Sequence, residues 1–291
     1  MARAYVAIGI TTLLWAINFK VGKIGTSEID PLFIASFRII VTGLFFYGLL
    51  SREDRKIRPT DWKDVWPLAL TGIALNHICF ASGIKLTLPS HSAVIHALIP
   101  GFVAIVAWIV LRETLTPIQM IGIVVALAGT LTVVLGVPRA EFSGTIWGDL
   151  ITMGGISAFS VYTVFGRRVM AAMGSRRAVT LAFLFAGPVM VPLLVFGAMR
   201  VDWGHVTWRG WSALAYMLVF ANMVCYLLHS YALARLKAGQ VAAFTNLQPA
   251  IAIGISAVSG DPTRPSLFIG AAIALAGVVL VQLRRAASSL E

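Results

Sequence analysis

Charge is scarce in this chain. Only 12% of its 291 residues are Asp, Glu, Lys or Arg, against 58% apolar. So little charge cannot keep the surface of a soluble domain of this length wet. Carboxylates are scarcer still: twelve in all, each in a connection or near the end of an apolar run. Paired midplane aspartates, which an intramembrane aspartyl protease needs, are therefore missing. No exposed Gly-x-Ser-Gly turn offers the serine alternative. No Gly-x-x-x-x-Gly-Lys-Ser/Thr phosphate loop occurs, which argues against direct drive by ATP. Cys79 and Cys225 both lie within apolar runs and read as buried packing, not as redox or metal groups. His91 and His96 are five apart, roughly 140° round a helix, so they share no face for a metal. No cofactor or metal is expected.

What is there is length without polarity. Apolar runs fall at about 4–24, 31–50, 66–86, 91–111, 116–136, 145–167, 178–199, 210–232, 239–258 and 266–284. Each suffices to cross roughly 30 Å of hydrocarbon. The expected class is an all-α membrane protein with ten transmembrane helices and no extramembrane domain. The formal charge of +11 does not mark a nucleic-acid binder, because the charges form no patch on a folded surface. With the amino terminus inside, most of the 23 basic residues fall on the cytoplasmic side, among them Arg52, Arg55, Lys56, Arg58, Arg176 and Arg177. That asymmetry places both termini in the cytoplasm of a multi-pass plasma-membrane protein, an inner membrane where there are two. The first run is too long for a cleaved signal and belongs to the repeat described next. Residues 289–291 read as the remnant of a tag.

The chain repeats itself. GIVVALAG at 122–129 returns as GAAIALAG at 270–277, and Pro100 and Pro249 stand 22 and 21 residues before them. Trp15, Asn18, Gly22 and Lys23 align with Phe159, Tyr162, Gly166 and Arg167 at one offset. The units are 1–137 and 138–288, five spans each. An odd number of crossings makes the second unit enter from the opposite side, which gives two inverted five-helix repeats around a central cavity. Small exchanges of conformation between such halves suffice for alternating access.

This pattern resembles the drug/metabolite transporter superfamily, specifically its ten-span EamA-type exporters. The residues that carry the resemblance are Trp15, Asn18, Pro31, Arg38, Pro100, Glu113, Gly122 and Gly129, then Gly148, Asp149, Pro249, Gly270 and Gly277. Within the superfamily the likeness extends to the YddG-type aromatic amino-acid exporters. The resemblance implies a basket of ten helices, with spans 5 and 10 packed as scaffold outside the cavity. Gly270, Ala274 and Gly277 form a small-residue stripe suited to that packing. A homodimer face is the other reading of the stripe, so the expected state is a monomer or a weak homodimer.

Polar groups within the spans mark either a cavity wall or single interhelical hydrogen bonds. Span 1 carries Trp15, Asn18 and Gly22 on one face, mirrored in span 6 by Phe159, Tyr162 and Gly166. Span 3 carries Asn76, His77 and Phe80; span 4 carries Ser92 and His96. In span 8, Asn222, Tyr226 and His229 fall at i, i+4 and i+7, one polar stripe. Span 9 carries Thr245, Asn246 and Gln248. As a wall, these residues supply flat aromatic surface and neutral amides, which suits a small amphipathic molecule such as an amino acid. Drug-like cations, other metabolites and a lipid precursor are the alternatives. Pro100 and Pro249 each remove a mid-span backbone bond, freeing the carbonyls of His96 and Thr245. A simple kink and a gating hinge, with Gly22 and Gly166 as the flexible companions, both fit. Arg38 reads as structural, snorkelling outward or meeting a helix-end carbonyl. Lys20 has three readings: snorkelling, a cavity cation, or an engineered change. With no deep carboxylate, downhill export is favoured over a histidine-based proton linkage through His77, His96 or His229.

Overall fold

A computed structural model of the chain describes residues 2–112, 116–136, 139–233, 235, 244, 247–260 and 264–287. Among these, helix is the regular structure and no strand occurs. We label the rods α1 (Ala2–Glu28), α2 (Pro31–Leu49), α3 (Pro59–Leu86), α4 (Pro89–Val110) and α5 (Pro117–Leu135). The second half holds α6 (Arg139–Met173), α7 (Ser175–Met199), α8 (Trp208–His229), α9 (Gln248–Val258) and α10 (Pro265–Ala287). Seven of them, α1–α5, α7 and α8, are long and apolar enough to cross a membrane. The described part of α9 and the apolar part of α10, Pro265–Leu280, are shorter.

The starts of these rods are written in the sequence. Proline opens α2, α3, α4, α5 and α10, where its missing N–H is not needed and its fixed φ is already helical. Asp30 caps α2, its carboxylate accepting from the Leu32 N–H at 2.9 Å. Thr116 and Gln119 cap α5 reciprocally: the Gln119 N–H donates to Thr116 Oγ1 at 3.4 Å, and the Thr116 N–H to Gln119 Oε1 at 3.0 Å. Asp61 accepts from the Arg58 N–H at 2.7 Å, so α3 begins well before the apolar run at 66.

Two irregularities recur in both halves. The segment Ala69–Leu75 of α3 and the segment Met217–Val224 of α8 are π-helical. α4 breaks after His96 and resumes at Ile99, with Pro100 at the start of the new helix. α9 begins in the same way around Pro249. Leu98 (φ −73°, ψ −10°) and Leu247 (φ −76°, ψ −14°) have nearly the same backbone angles. The bonds flanking them match too: Leu98 N–H to Ile95 O and Leu247 N–H to Phe244 O, both 3.0 Å. Proline thus sits in the first turn of a fresh helix, not in the middle of a kinked one.

Two pairs of equivalent elements, α5 with α10 and α2 with α7, pack antiparallel. In α5 and α10 a Cβ on Gly277 would lie 2.6 Å from Gly122 O, and one on Gly270 would lie 2.6 Å from Gly129 O. The first glycine of each octet therefore meets the last glycine of the other, and only glycine permits the approach. The small-residue stripe is used inside the molecule. α2 meets α7 with the same sense: Cβ positions at Gly197 and Gly43 would crowd Phe33 and Phe183 respectively. α1 runs against α8, with Cys225 Sγ near Thr11 O and Gly25 beside Ala213. α3 runs against α6, with Gly83 beside Thr152 and Gly155 beside Cys79. A continuous core joins α2, α3, α6 and α7 through Ile39, Phe46, Ile73, Tyr162, Phe183 and Met190.

Candidate functional site

Six of the aromatic and polar residues singled out in the sequence, Trp15, His77, Phe80, His96, Tyr226 and His229, converge between α1, α3, α4 and α8. Trp15 projects from α1 and its Nε1–H donates to Ala221 O, in the π segment of α8, at 2.9 Å. The indole meets Tyr226 edge-on at 6.3 Å and tilts over His229 at 5.2 Å. On the other side of Tyr226 the ring of His77 stacks at 6.3 Å. His77 Nδ1 lies 2.8 Å from Ile73 O, and a carbonyl only accepts, so that nitrogen carries the proton. A second cluster follows along α1. Phe19, Phe80 and His96 meet pairwise at 5.9, 5.1 and 5.8 Å, and His96 Nδ1 donates to Ser92 O at 2.8 Å. Gly22 makes room for it: a Cβ there would stand 3.4 Å from Phe80.

Other residues go elsewhere. Asn222 is fully buried and faces α2, accepting from Arg38 Nη2 and donating to Thr42 Oγ1 at 3.4 Å. It also hydrogen-bonds His77, whose ring stacks on Tyr226, so it joins the cluster to Arg38. Tyr162 is 7% exposed and its ring lies against Gly72, stacked with Phe159 at 5.5 Å. Asn18 is buried, with no hydrogen-bond partner for its Oδ1 among the described residues. Asn76 is half-buried beside Gly155, Gly166 packs near Leu68, and Gln248, Pro100 and Lys20 are half-buried. Thr245, Asn246 and Glu113 lie outside the described residues.

Two charged residues differ from expectation. Arg38 neither snorkels nor meets a carbonyl: it is 3% exposed and bonded to Asn222 alone among the described residues. Asp149, expected where span 6 opens near 145, lies inside the longer α6 and is 1% exposed, accepting from Thr87 Oγ1 and 3.3 Å from His91 Nδ1. Lys23 Nζ donates to the Lys85 and Thr87 carbonyls at 2.7 and 2.8 Å, so α1, α3, α4 and α6 are tied at this end. At the opposite end of α3, Arg177 pairs with Asp61 at 2.7 Å and also donates to the Lys56 and Asp54 carbonyls. Among the described residues no group of three His, Cys, Asp or Glu stands ready for a metal ion.

Phe19 and Phe183 were missed from sequence. Both are aromatic rings in apolar runs, where nothing contrasts with the background. Phe183 is fully buried, 5.1 Å from Tyr226 and 5.8 Å from His77. Phe19 could have been found as the residue one helical turn beyond Trp15.

The EamA-like transporter family model matches residues 2–135 and again 146–283. Among curated proteins, the chain is 24% identical to "Uncharacterized transporter YetK" of Bacillus subtilis, over 97% of this chain and 87% of that protein. It is 26% identical to an "Uncharacterized transporter" of Archaeoglobus fulgidus, over 96% and 97%. It is 22% identical to "Uncharacterized inner membrane transporter YedA" of Escherichia coli, over 93% and 88%. One solved structure, described only as a crystal structure of a protein, covers 98% of this chain with a TM-score of 0.65 at 17% identity, a likeness of fold alone.

Proposed function

The chain belongs to the EamA-like transporter family, as a multi-pass membrane transporter and not an enzyme, and from that premise we propose that it exports small amphipathic metabolites, foremost neutral amino acids. The observation that carries this reading is the makeup of the convergent cluster. Trp15, Phe19, His77, Phe80, His96 and Tyr226 come from three helices of the first half and one of the second. They offer aromatic faces for the apolar part of a solute and neutral hydrogen-bonding groups for its polar part. No carboxylate stands among them, so facilitated, downhill export is the mechanism favoured here.

The proposed architecture is ten spans in two inverted repeats, with both termini in the cytoplasm. The crosswise meeting of Gly122 with Gly277 and Gly129 with Gly270 supports it. Equivalent helices in mutual contact and running opposite ways are what a two-fold axis in the membrane plane generates. The matched breaks before Pro100 and Pro249 supply each half with one hinge for alternating access. Gln248 and, beyond the described residues, Thr245 complete the proposed wall from α9.

The test is counterflow in proteoliposomes with labelled neutral amino acids, at equal and unequal pH. Counterflow without a pH gradient is expected, with flux lowered at least tenfold by alanine at Trp15 or Tyr226, about the loss of one aromatic contact of 1.4 kcal/mol. Absence of counterflow for every amino acid removes the substrate class. Uptake that requires a gradient removes the facilitator mechanism.

A further inference from the structure

Arg38 is a buried cation, and no carboxylate among the described residues stands beside it. A guanidinium carries five N–H donors and no acceptor. Nη2 gives one to Asn222 Oδ1, whereas Nε and Nη1 are buried with no hydrogen-bond partner among the described residues. An ionised group taken out of water without a counterion costs several kcal/mol, and the interior of a membrane protein offers no cheap alternative.

The surroundings do not supply the missing charge. Asn222 and Thr42 are neutral amide and hydroxyl. Tyr226, Cys225 and His77 stand near the guanidinium, and His77 already spends its Nδ1 proton on the Ile73 carbonyl. Asp30 caps its own helix and pairs with Arg200 at 3.2 Å. Asp61 is held by Arg177, and Asp149 by Thr87 and His91. Every buried carboxylate described is thus engaged away from Arg38.

We propose that the counterion of Arg38 is the carboxylate of the transported solute, which makes Arg38 the residue that selects carboxylate-bearing cargo. This inference rests on the exporter reading and narrows its substrate class. Nη2 keeps a second N–H, and beside the N–H of Nε or of Nη1 it forms a planar fork that matches a carboxylate in two parallel hydrogen bonds. Asn222 holds the fork, and Thr42 in turn holds Asn222. The rings of His77, Phe183 and Tyr226 stand beside it and lead toward Trp15, a path along which the apolar remainder of the solute lies. A cationic cargo is repelled by the same arrangement.

The experiment compares three acid–amide pairs, butyrate, 4-methylvalerate and 3-phenylpropionate with their primary amides, by tryptophan fluorescence and thermal shift of the purified protein in sodium sulfate. Each pair has one shape and differs in one charge. The wild-type protein should bind at least one acid tenfold or more tightly than its amide. Arg38→Gln should abolish the preference, and Arg38→Lys should keep part of it. If Arg38→Gln does not fold, the wild-type comparison still decides: no acid preference in any pair overturns the proposal. Stabilisation by sodium chloride alone, with no acid preference, identifies a halide counterion and equally overturns it. Amino-acid counterflow that persists unchanged in Arg38→Gln sinks this inference but leaves the exporter reading intact. Arg38-dependent acid binding without any counterflow does the reverse.

Discussion

Gly72 and Gly154 show how differently two glycines of one membrane bundle are constrained. A Cβ on Gly72 would overlap the ring of Tyr162 and come within 2.5 Å of its Cβ, whereas one on Gly154 meets nothing within 4 Å. Tyr162 is only 7% exposed and is wedged against Phe159, so it has nowhere to retreat. Gly72→Ala should therefore cost about 1–3 kcal/mol by overpacking. Gly154→Ala should be neutral or gain up to about 1 kcal/mol through better helix propensity. Thermal denaturation of the detergent-solubilised protein reads both; equal midpoints would mean that Tyr162 does not pack where the structure has it. At this scale the sequence speaks where a side chain contrasts with its background. Trp15, His77, His96 and Tyr226 were legible because polar or amphipathic rings are rare in apolar runs, and Phe80 only through its i, i+4 spacing from Asn76. Phe19 and Phe183 were not, since a phenyl ring in an apolar run carries no such contrast. Asn222 also reaches Arg38 on α2, a contact that spacing along α8 alone does not reveal.

Helix by helix, the starts were easier to read than the interruptions. Proline after a capping residue fixed where α2 and α5 begin, through Asp30 and Thr116. The π segments left no mark, since Ala69–Leu75 and Met217–Val224 are apolar runs like any others. Pro100 and Pro249 promised kinks, and the structure puts them instead in the first turns of resumed helices after Leu98 and Leu247. That position has an energetic consequence. Proline in a first turn breaks no hydrogen bond, so replacing it there changes stability little, by about 1 kcal/mol or less. Replacement does free the chain to continue as one straight helix across the break, which stiffens the hinge. Pro100→Ala and Pro249→Ala are therefore expected to leave the denaturation midpoint within a few degrees while slowing counterflow severalfold, and the double variant more than either. A large loss of stability with normal transport by the folded fraction would make the prolines packing residues only.

The molecule as a whole reads as two units meeting tail to head, and its orientation follows from where the charges stand. The connection after α2 carries exposed Arg52 and is stitched by Arg177, at the start of α7, to the Asp54 and Lys56 carbonyls. The connection after α7 carries exposed His205, and Thr207 there binds Glu28 at the end of α1, with its N–H 2.7 Å from the carboxylate. α7 alone separates these two connections by 25 residues, or roughly 37 Å at 1.5 Å per residue, a full membrane thickness. They must then face different compartments. The first holds Arg52, Arg55, Lys56 and Arg58 within seven residues; the second, 200–209, holds only Arg200 and Arg209. By the positive-inside rule we expect the first on the cytoplasmic side. Single cysteines from Arg52→Cys and His205→Cys, in a background with Cys79→Ser and Cys225→Ala, separate the possibilities. A membrane-impermeant maleimide added to intact cells should label the second and spare the first until the membrane is permeabilised. Labelling in the reverse order would place both termini outside and overturn the proposed orientation. Equal labelling of both in intact cells would deny that α7 spans the bilayer, and with it the pairing of α2 and α7 as equivalent, oppositely directed elements.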